Sequence, residues 1–246
     1  MTRRPGFTLI ELLASVVVGS IVLLAAAALL GTSGEGYERV GGGVATEREA
    51  RALISQLTSD LATASFHKDG PIENTGTAWP AARLGFPSLQ PAAAQSRNGR
   101  IGDLCAIHYY IKDLEIGGKT VRCLMRGFRE SMDTFAALGN DDISSLFQPD
   151  DTLDEPVAFN VAAFEVRPIA RDANGQWREW TRNDTQGPEA IDVKIAIVRR
   201  ELAGRLRTSA DWDGGNPQLG TPAEAARNRY LETYRAMIRF GNDESF

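Results

Sequence analysis

Between Phe7 and Leu30 the chain carries a single ionisable side chain, Glu11, in 24 residues. Wound as a helix at 1.5 Å per residue, that stretch is about 36 Å long, more than the ~30 Å hydrocarbon core of a bilayer. Arg3 and Arg4 precede it, so the positive-inside rule leaves the N-terminus in the cytoplasm and carries the rest across the inner membrane. Two other export signals compete. Small residues at Ala25 to Ala28 resemble a secretory cleavage site, and Thr2-Arg3-Arg4 resembles a twin-arginine signal. Both have shorter apolar regions, about 7–15 residues for a secretory signal, and no carboxylate near the start.

Glu11 is the informative residue. An unpaired carboxylate inside an apolar membrane helix costs on the order of 2–3 kcal/mol, so such groups are retained where an assembly supplies a partner. A cut between Gly6 and Phe7 creates that partner, an α-ammonium on Phe7. The amine and carboxylate of one helix then lie about 6 Å apart along the axis. Those of staggered neighbouring helices meet directly, with a gross attraction of about 4 kcal/mol at ~4 Å and an effective dielectric of ~20.

The run Arg3-Arg4-Pro5-Gly6-Phe7-Thr8-Leu9-Ile10-Glu11-Leu12-Leu13 resembles the leader and cleavage/methylation motif of type IV prepilins and type II secretion pseudopilins. The resemblance implies cleavage after Gly6 and N-methylation of Phe7 by a prepilin peptidase. It also gives Glu11 the family glutamate's role in assembly with other pilin or pseudopilin subunits. It covers about 30 residues, so it specifies the family and not the member.

The chain divides into a leader at 1–6, a transmembrane helix at 7–30, a glycine-rich hinge at 31–45, an amphipathic continuation at 46–67 and a periplasmic head at 68–246. The hinge holds Gly31, Gly34, Gly36, Gly41, Gly42 and Gly43, and each costs a helix interior nearly 1 kcal/mol relative to alanine. Helix is expected to restart at a capping box of Thr46 and Glu49, with Glu47 and Arg51 paired four apart. Leu53, Ile54, Leu57, Leu61 and Ala64 form a stripe that docks on the chain's own sheet. The Pro- and Gly-rich stretch 68–95 reads as loop with one short strand at Leu84 to Phe86.

Strands follow by period-two alternation: Cys105 to Ile111, Val121 to Met125, Val157 to Val166, Gln176 to Trp180 and Ile191 to Ile197. A helix starting at Pro222, capped by Thr221 with Glu224, and a short helix running into a strand over Tyr230 to Phe240 complete the head. The fold class is α+β: a long membrane-spanning helix packed on an antiparallel sheet. Arg48 to Leu61, Phe164-Glu165-Val166-Arg167, Trp177 with Trp180, and Pro188-Glu189-Ala190-Ile191 resemble minor pseudopilins of the J type, including the prepilin-like proteins of the Verru_Chthon cassette group.

Chemistry is sparse. With a net charge of −5 and no basic patch interleaved with aromatics, nucleic acid is not an expected partner. Cys105 and His108 are three apart on a strand and face opposite sides, so they form no nucleophile–base pair. No Cys or His spacing suits zinc, and the acidic clusters at Asp141, Asp150 to Glu155 and Asp211 to Asp213 read as solvated loops. No catalytic residue, metal or cofactor is assigned. If the hairpin turns at Gly117-Gly118, Cys123 sits opposite Lys112, roughly 23 Å along the strand from Cys105. A bridge within that simple hairpin is disfavoured, while a bulge or a different turn would reopen it, so one disulfide and two buried thiols both stay open.

The expected function is a minor pilin or pseudopilin subunit, anchored with its head in the periplasm and extracted into a fibre; the head, large for a repeating unit, favours a minor role. The alternatives are an anchored periplasmic binding or enzymatic domain, to which Glu11 has no use, and an adhesive or DNA-capturing tip.

Overall fold

The computed structural model describes residues 9–76 and 78–241. It consists of two units, Met1–Val44 and Ala45–Phe246. Helix α1 spans Leu9–Ala62. Its hydrogen-bonded backbone passes through 31–45 without a break, so glycines that disfavour helix are carried as propagation between two stretches that already nucleate one. The helix therefore does not restart at Thr46. The expected capping box is corrected: both of its residues lie inside α1, and Glu49 instead accepts the backbone N–H of Phe159 at 2.5 Å.

The second unit is a nine-stranded, antiparallel-rich sheet built from β1 (Ile72–Thr75), β2 (Ala81–Leu89), β3 (Leu104–Ile116), β4 (Lys119–Arg129), β5 (Glu155–Phe159), β6 (Val161–Arg171), β7 (Trp177–Glu179), β8 (Ala190–Val198) and β9 (Leu231–Arg239). The order is β5-β4-β3-β2-β6-β8-β9, with β1 added to β2 and β7 to β6. One pairing is parallel, Ala81 with Phe164 between β2 and β6. Two short helices, α2 (Ser131–Gly139) and α3 (Arg200–Ala203), lie in the connections.

From residue 50 onward α1 lies on the inner face of the sheet. Leu53, Leu57, Leu61 and Ala64 are buried against Leu84, Phe86, Ile107, Tyr109, Phe164 and the β8 residues Ile191, Val193, Ile195 and Ile197. Each large apolar side chain sequestered there contributes roughly 1.5–3 kcal/mol of transfer free energy, which is why the stripe docks on its own sheet. The opposite face is covered twice. Ile143 and Phe147 pack on Ala106 of β3, and the long excursion after β8 brings Leu202, Leu206, Trp212 and Leu219 over Ala163, Ala196 and Val198.

Strand β2 contains the short strand expected at Leu84 to Phe86 and extends it at both ends into what reads as loop. It is nine residues long, and Ala82, Leu84 and Phe86 alternate into the core. Pro87 is tolerated because its lateral side faces away from β3: its carbonyl accepts Ser65 N–H, Leu89 N–H reaches Thr63, and Gly85 N–H reaches Pro71. The proline nitrogen therefore removes no bond from the β2–β3 ladder.

The hairpin of β3 and β4 turns on Gly117 and Gly118, both at positive φ (60° and 74°), as a two-residue turn requires. It pairs Lys112 with Cys123 as expected, and the two cysteines are buried and free. The single strand expected at Val157 to Val166 is two, broken at Asn160 with φ 56°. Tyr230 to Phe240 is strand and not helix, because β9 pairs with β8 along its whole length. Glu224 does accept both the backbone N–H and the hydroxyl of Thr221, but the helix expected there is a single 3-10 turn, Ala225–Arg227.

Candidate functional site

Of the N-terminal signal, Arg3, Arg4, Gly6 and Phe7 lie outside the described residues, and Glu11 belongs to α1 by its backbone alone. From Leu12 to Leu24 the apolar side chains are open on all sides of the helix: Leu12, Val16, Val18, Ile21 and Leu23 are each exposed. A contiguous apolar surface of that kind marks a protein or lipid contact. Among the described residues no helix is long and apolar enough to cross a membrane.

In the head, the inner face holds an ion pair that the sequence reading missed. Asp60 sits on the buried stripe of α1 between Leu57 and Leu61. Its carboxylate receives Arg126 Nε at 2.7 Å and Nη2 at 3.1 Å, and Tyr109 Oη at 2.5 Å. Its backbone carbonyl accepts Ser88 Oγ at 2.8 Å. Burial, and the Asp60 carboxylate beside it, hold the Tyr109 phenol well above its ordinary value. A bidentate pair with its remaining lone pair satisfied fixes the register of α1 on β3 and β4. The available signal was an acidic residue in the middle of an apolar helical face.

A second buried polar cluster lies on the outer face. Asp154 receives Arg129 Nη1 at 2.7 Å, Tyr110 Oη at 2.8 Å and the backbone N–H of Asp150 at 2.8 Å. Burial alone would raise its pKa, but these donors hold it below the usual carboxylate range. His108 stacks on Tyr110 with ring centroids 5.3 Å apart. Its Nε2 is 3.4 Å from Asp154, yet neither ring nitrogen has a hydrogen-bond partner. Burial pushes the imidazole down to about 4, so at neutral pH this is a contact with a neutral ring and not an ion pair. Gly127 makes room for it, since a Cβ there would lie 1.9 Å from His108 Cε1.

Cys105 and His108 do lie on opposite faces of β3. Burial pushes the thiols of Cys105 and Cys123 up to about 11 and about 12, which suppresses thiolate and nucleophilicity. The acidic loops are tied into the fold: Asp150 bonds Thr152 and Leu153, Asp211 bonds Arg207 and Thr208, and Asp213 pairs with Arg122 at 2.9 Å. Among the described residues no three His, Cys, Asp or Glu side chains are grouped to hold a metal.

The outer face of β6, β8 and β9 carries a groove of about 510 Å³ lined by Arg167, Ile169, Trp177, Asp192, Arg235 and Met237. Arg171 and Arg239 stack on the Trp177 ring at 4.8 and 5.7 Å. Asp192, almost buried, is shared by Arg167 and Arg235, each at 2.7 Å, and these hydrogen bonds, Arg235 first, hold its pKa low. The arginines of this face stand among acids, Glu165, Asp192, Glu189 and Asp184 each pairing with one or more of them, so the groove is a mixed-charge aromatic surface and not a uniformly basic one. The signal was Arg at alternate or fourth residues of two strands, legible once those strands are known to be neighbours.

Residues 1–27 match the family model described as the prokaryotic N-terminal methylation motif. The chain thus carries a type IV prepilin-like signal of the kind that a prepilin peptidase processes. Neither the curated proteins nor the solved structures give a match.

Proposed function

We propose that this chain is a minor pilin or pseudopilin subunit, cut after Gly6, N-methylated on Phe7 and assembled into a type IV pilus or type II secretion pseudopilus through α1. The observation that carries the reading is the methylation motif over 1–27 running directly into an apolar helix with one carboxylate, Glu11. In this reading residues 7–30 cross the inner membrane with the N-terminus cytoplasmic, as Arg3 and Arg4 direct, and the head is periplasmic. The partners are prepilin peptidase, neighbouring subunits and inner-membrane lipid, with no nucleic acid and no catalytic role. The size of the head and the J-type stretches favour a minor over a major subunit.

Glu11→Ala tests the reading. Incorporation into sheared fibres is expected to fall at least tenfold, while membrane insertion and the melting temperature of the head stay unchanged. Normal incorporation, or a fibre-free host in which the variant behaves as wild type, would favour the anchored binding or enzymatic domain instead.

A further inference from the structure

Strand β9 ends the sheet, and its two alternations are set by its pairing. Phe240 N–H donates to Glu189 and Arg199 N–H to Tyr230, so the even-numbered residues of β9 bond to β8 and the odd-numbered ones turn their N–H and C=O outward. Tyr234, Ala236 and Ile238 pack on the inner core, which puts the side chains of Thr233, Arg235, Met237 and Arg239 on the outer face beside the Trp177 groove. All four are exposed. Among the described residues the outward main-chain groups of Thr233 to Arg239 have no strand beside them, up to Gly241, whose N–H reaches Leu61, and they stand next to a row of side chains that reads cation, thioether, cation.

We propose that this edge receives an extended acidic segment of a neighbouring protein chain as an added strand. Main-chain bonds to Thr233, Arg235, Met237 and Arg239 supply affinity. An acidic–apolar–acidic pattern at every second residue of the partner supplies specificity, set against Arg235, Met237 and Arg239.

Charge selects the occupant. Arg167 and Arg235 share the carboxylate of Asp192, Arg167 also faces Glu165 at 3.9 Å, and Glu179 lines the groove beside them. Among the described residues no carboxylate pairs with Arg239, which lies on the Trp177 ring. The groove's other arginines thus have acidic neighbours of their own, and the guanidinium of Arg239, on the edge strand itself, is the one left to a partner's carboxylate among the described residues. A second copy of the same edge is disfavoured: antiparallel pairing about Met237 sets Arg235 against Arg239 twice, and like charges directly opposite are destabilising. The proposal rests on the fibre reading only for the source of the segment.

The test uses the full chain in detergent and a labelled heptapeptide of threonines with Glu, Val and Glu at alternate positions, beside a twin with Lys in place of Glu. The Glu peptide is expected to bind, to weaken with added salt, and to slow amide exchange at Thr233, Arg235, Met237 and Arg239. Arg239→Glu is expected to weaken it at least tenfold and to bring the Lys peptide up; Arg239→Gln should weaken the first without recruiting the second. Unchanged exchange in β3 and β4 shows that the variants are folded. Absence of binding, binding indifferent to both substitutions, or binding without protection of those four amides would overturn the proposal. So would displacement of the peptide by a short single-stranded oligonucleotide that leaves the β9 amides unprotected, because the arginines would then serve phosphates. Glu11→Ala should leave peptide binding intact, so failure of the fibre reading and failure of the edge are told apart.

Discussion

Asp60 and Arg126 are the side chains on which the packing of α1 most depends. Both are nearly buried, with 2% and 12% of their side chains exposed. Removing one partner of a buried pair leaves the other uncompensated, at a cost of about 3–5 kcal/mol. Asp60→Ala is therefore expected to lower the unfolding free energy of the full chain by that amount in a denaturant titration, and Tyr109→Phe by about 1 kcal/mol. His108 makes a different prediction. Its folded pKa, about 4, lies below its unfolded value of about 6.5, so protons bind the unfolded state first. The stability it contributes is complete above pH 6.5 and is lost as pH falls from there through 4, about 3 kcal/mol in all. Asp154, also depressed, contributes stability present above about pH 4 and lost as pH falls further. His108→Leu should flatten the stability profile between pH 6.5 and 4 and leave the steeper acid loss below it. An unchanged profile would show that the imidazole is not what titrates.

At the scale of elements, what could be read from the sequence was what local spacing decides. The alternation in β8, the hairpin at Gly117-Gly118 and the stripe from Leu53 to Ala64 each follow from a period that one buried face imposes. The failures have a common physical origin in partners distant along the chain. Pro80 and Pro87 cut the expected strand short at Leu84 to Phe86, yet the carbonyl of Pro87 is met by Ser65 and the N–H of Leu89 by Thr63, so β2 runs on past the proline. Tyr230 to Phe240 fits both periods, and pairing with β8 decides for strand. Thr46 and Glu49 have capping chemistry but no helix end to cap. The Arg-rich outer face appeared only when β6, β8 and β9 were neighbours.

The glycine segment makes a prediction at this same scale. Replacing Gly41, Gly42 and Gly43 by alanine should stabilise helix locally by about 2–3 kcal/mol. If the segment bends when a subunit leaves the bilayer, fibre incorporation should fall while membrane insertion is kept. Unchanged incorporation would remove the hinge from the account.

Across the whole molecule, two kinds of surface divide the work. The apolar helix surface from Leu12 to Leu24 has no use in a free soluble chain, and the head carries an open strand edge with cations beside it. A subunit that is first held in lipid and then in a fibre needs the former to exchange one apolar environment for another. In the proposed assembly the head's edge would then add a contact whose partner is chosen by charge. The measurement that bears most directly on this account is the intact mass and N-terminal sequence of the protein purified from the membranes of its own host. A subunit processed as proposed begins at Phe7 with one added methyl group; a chain that retains Met1, or one cut near Ala28, would contradict that processing.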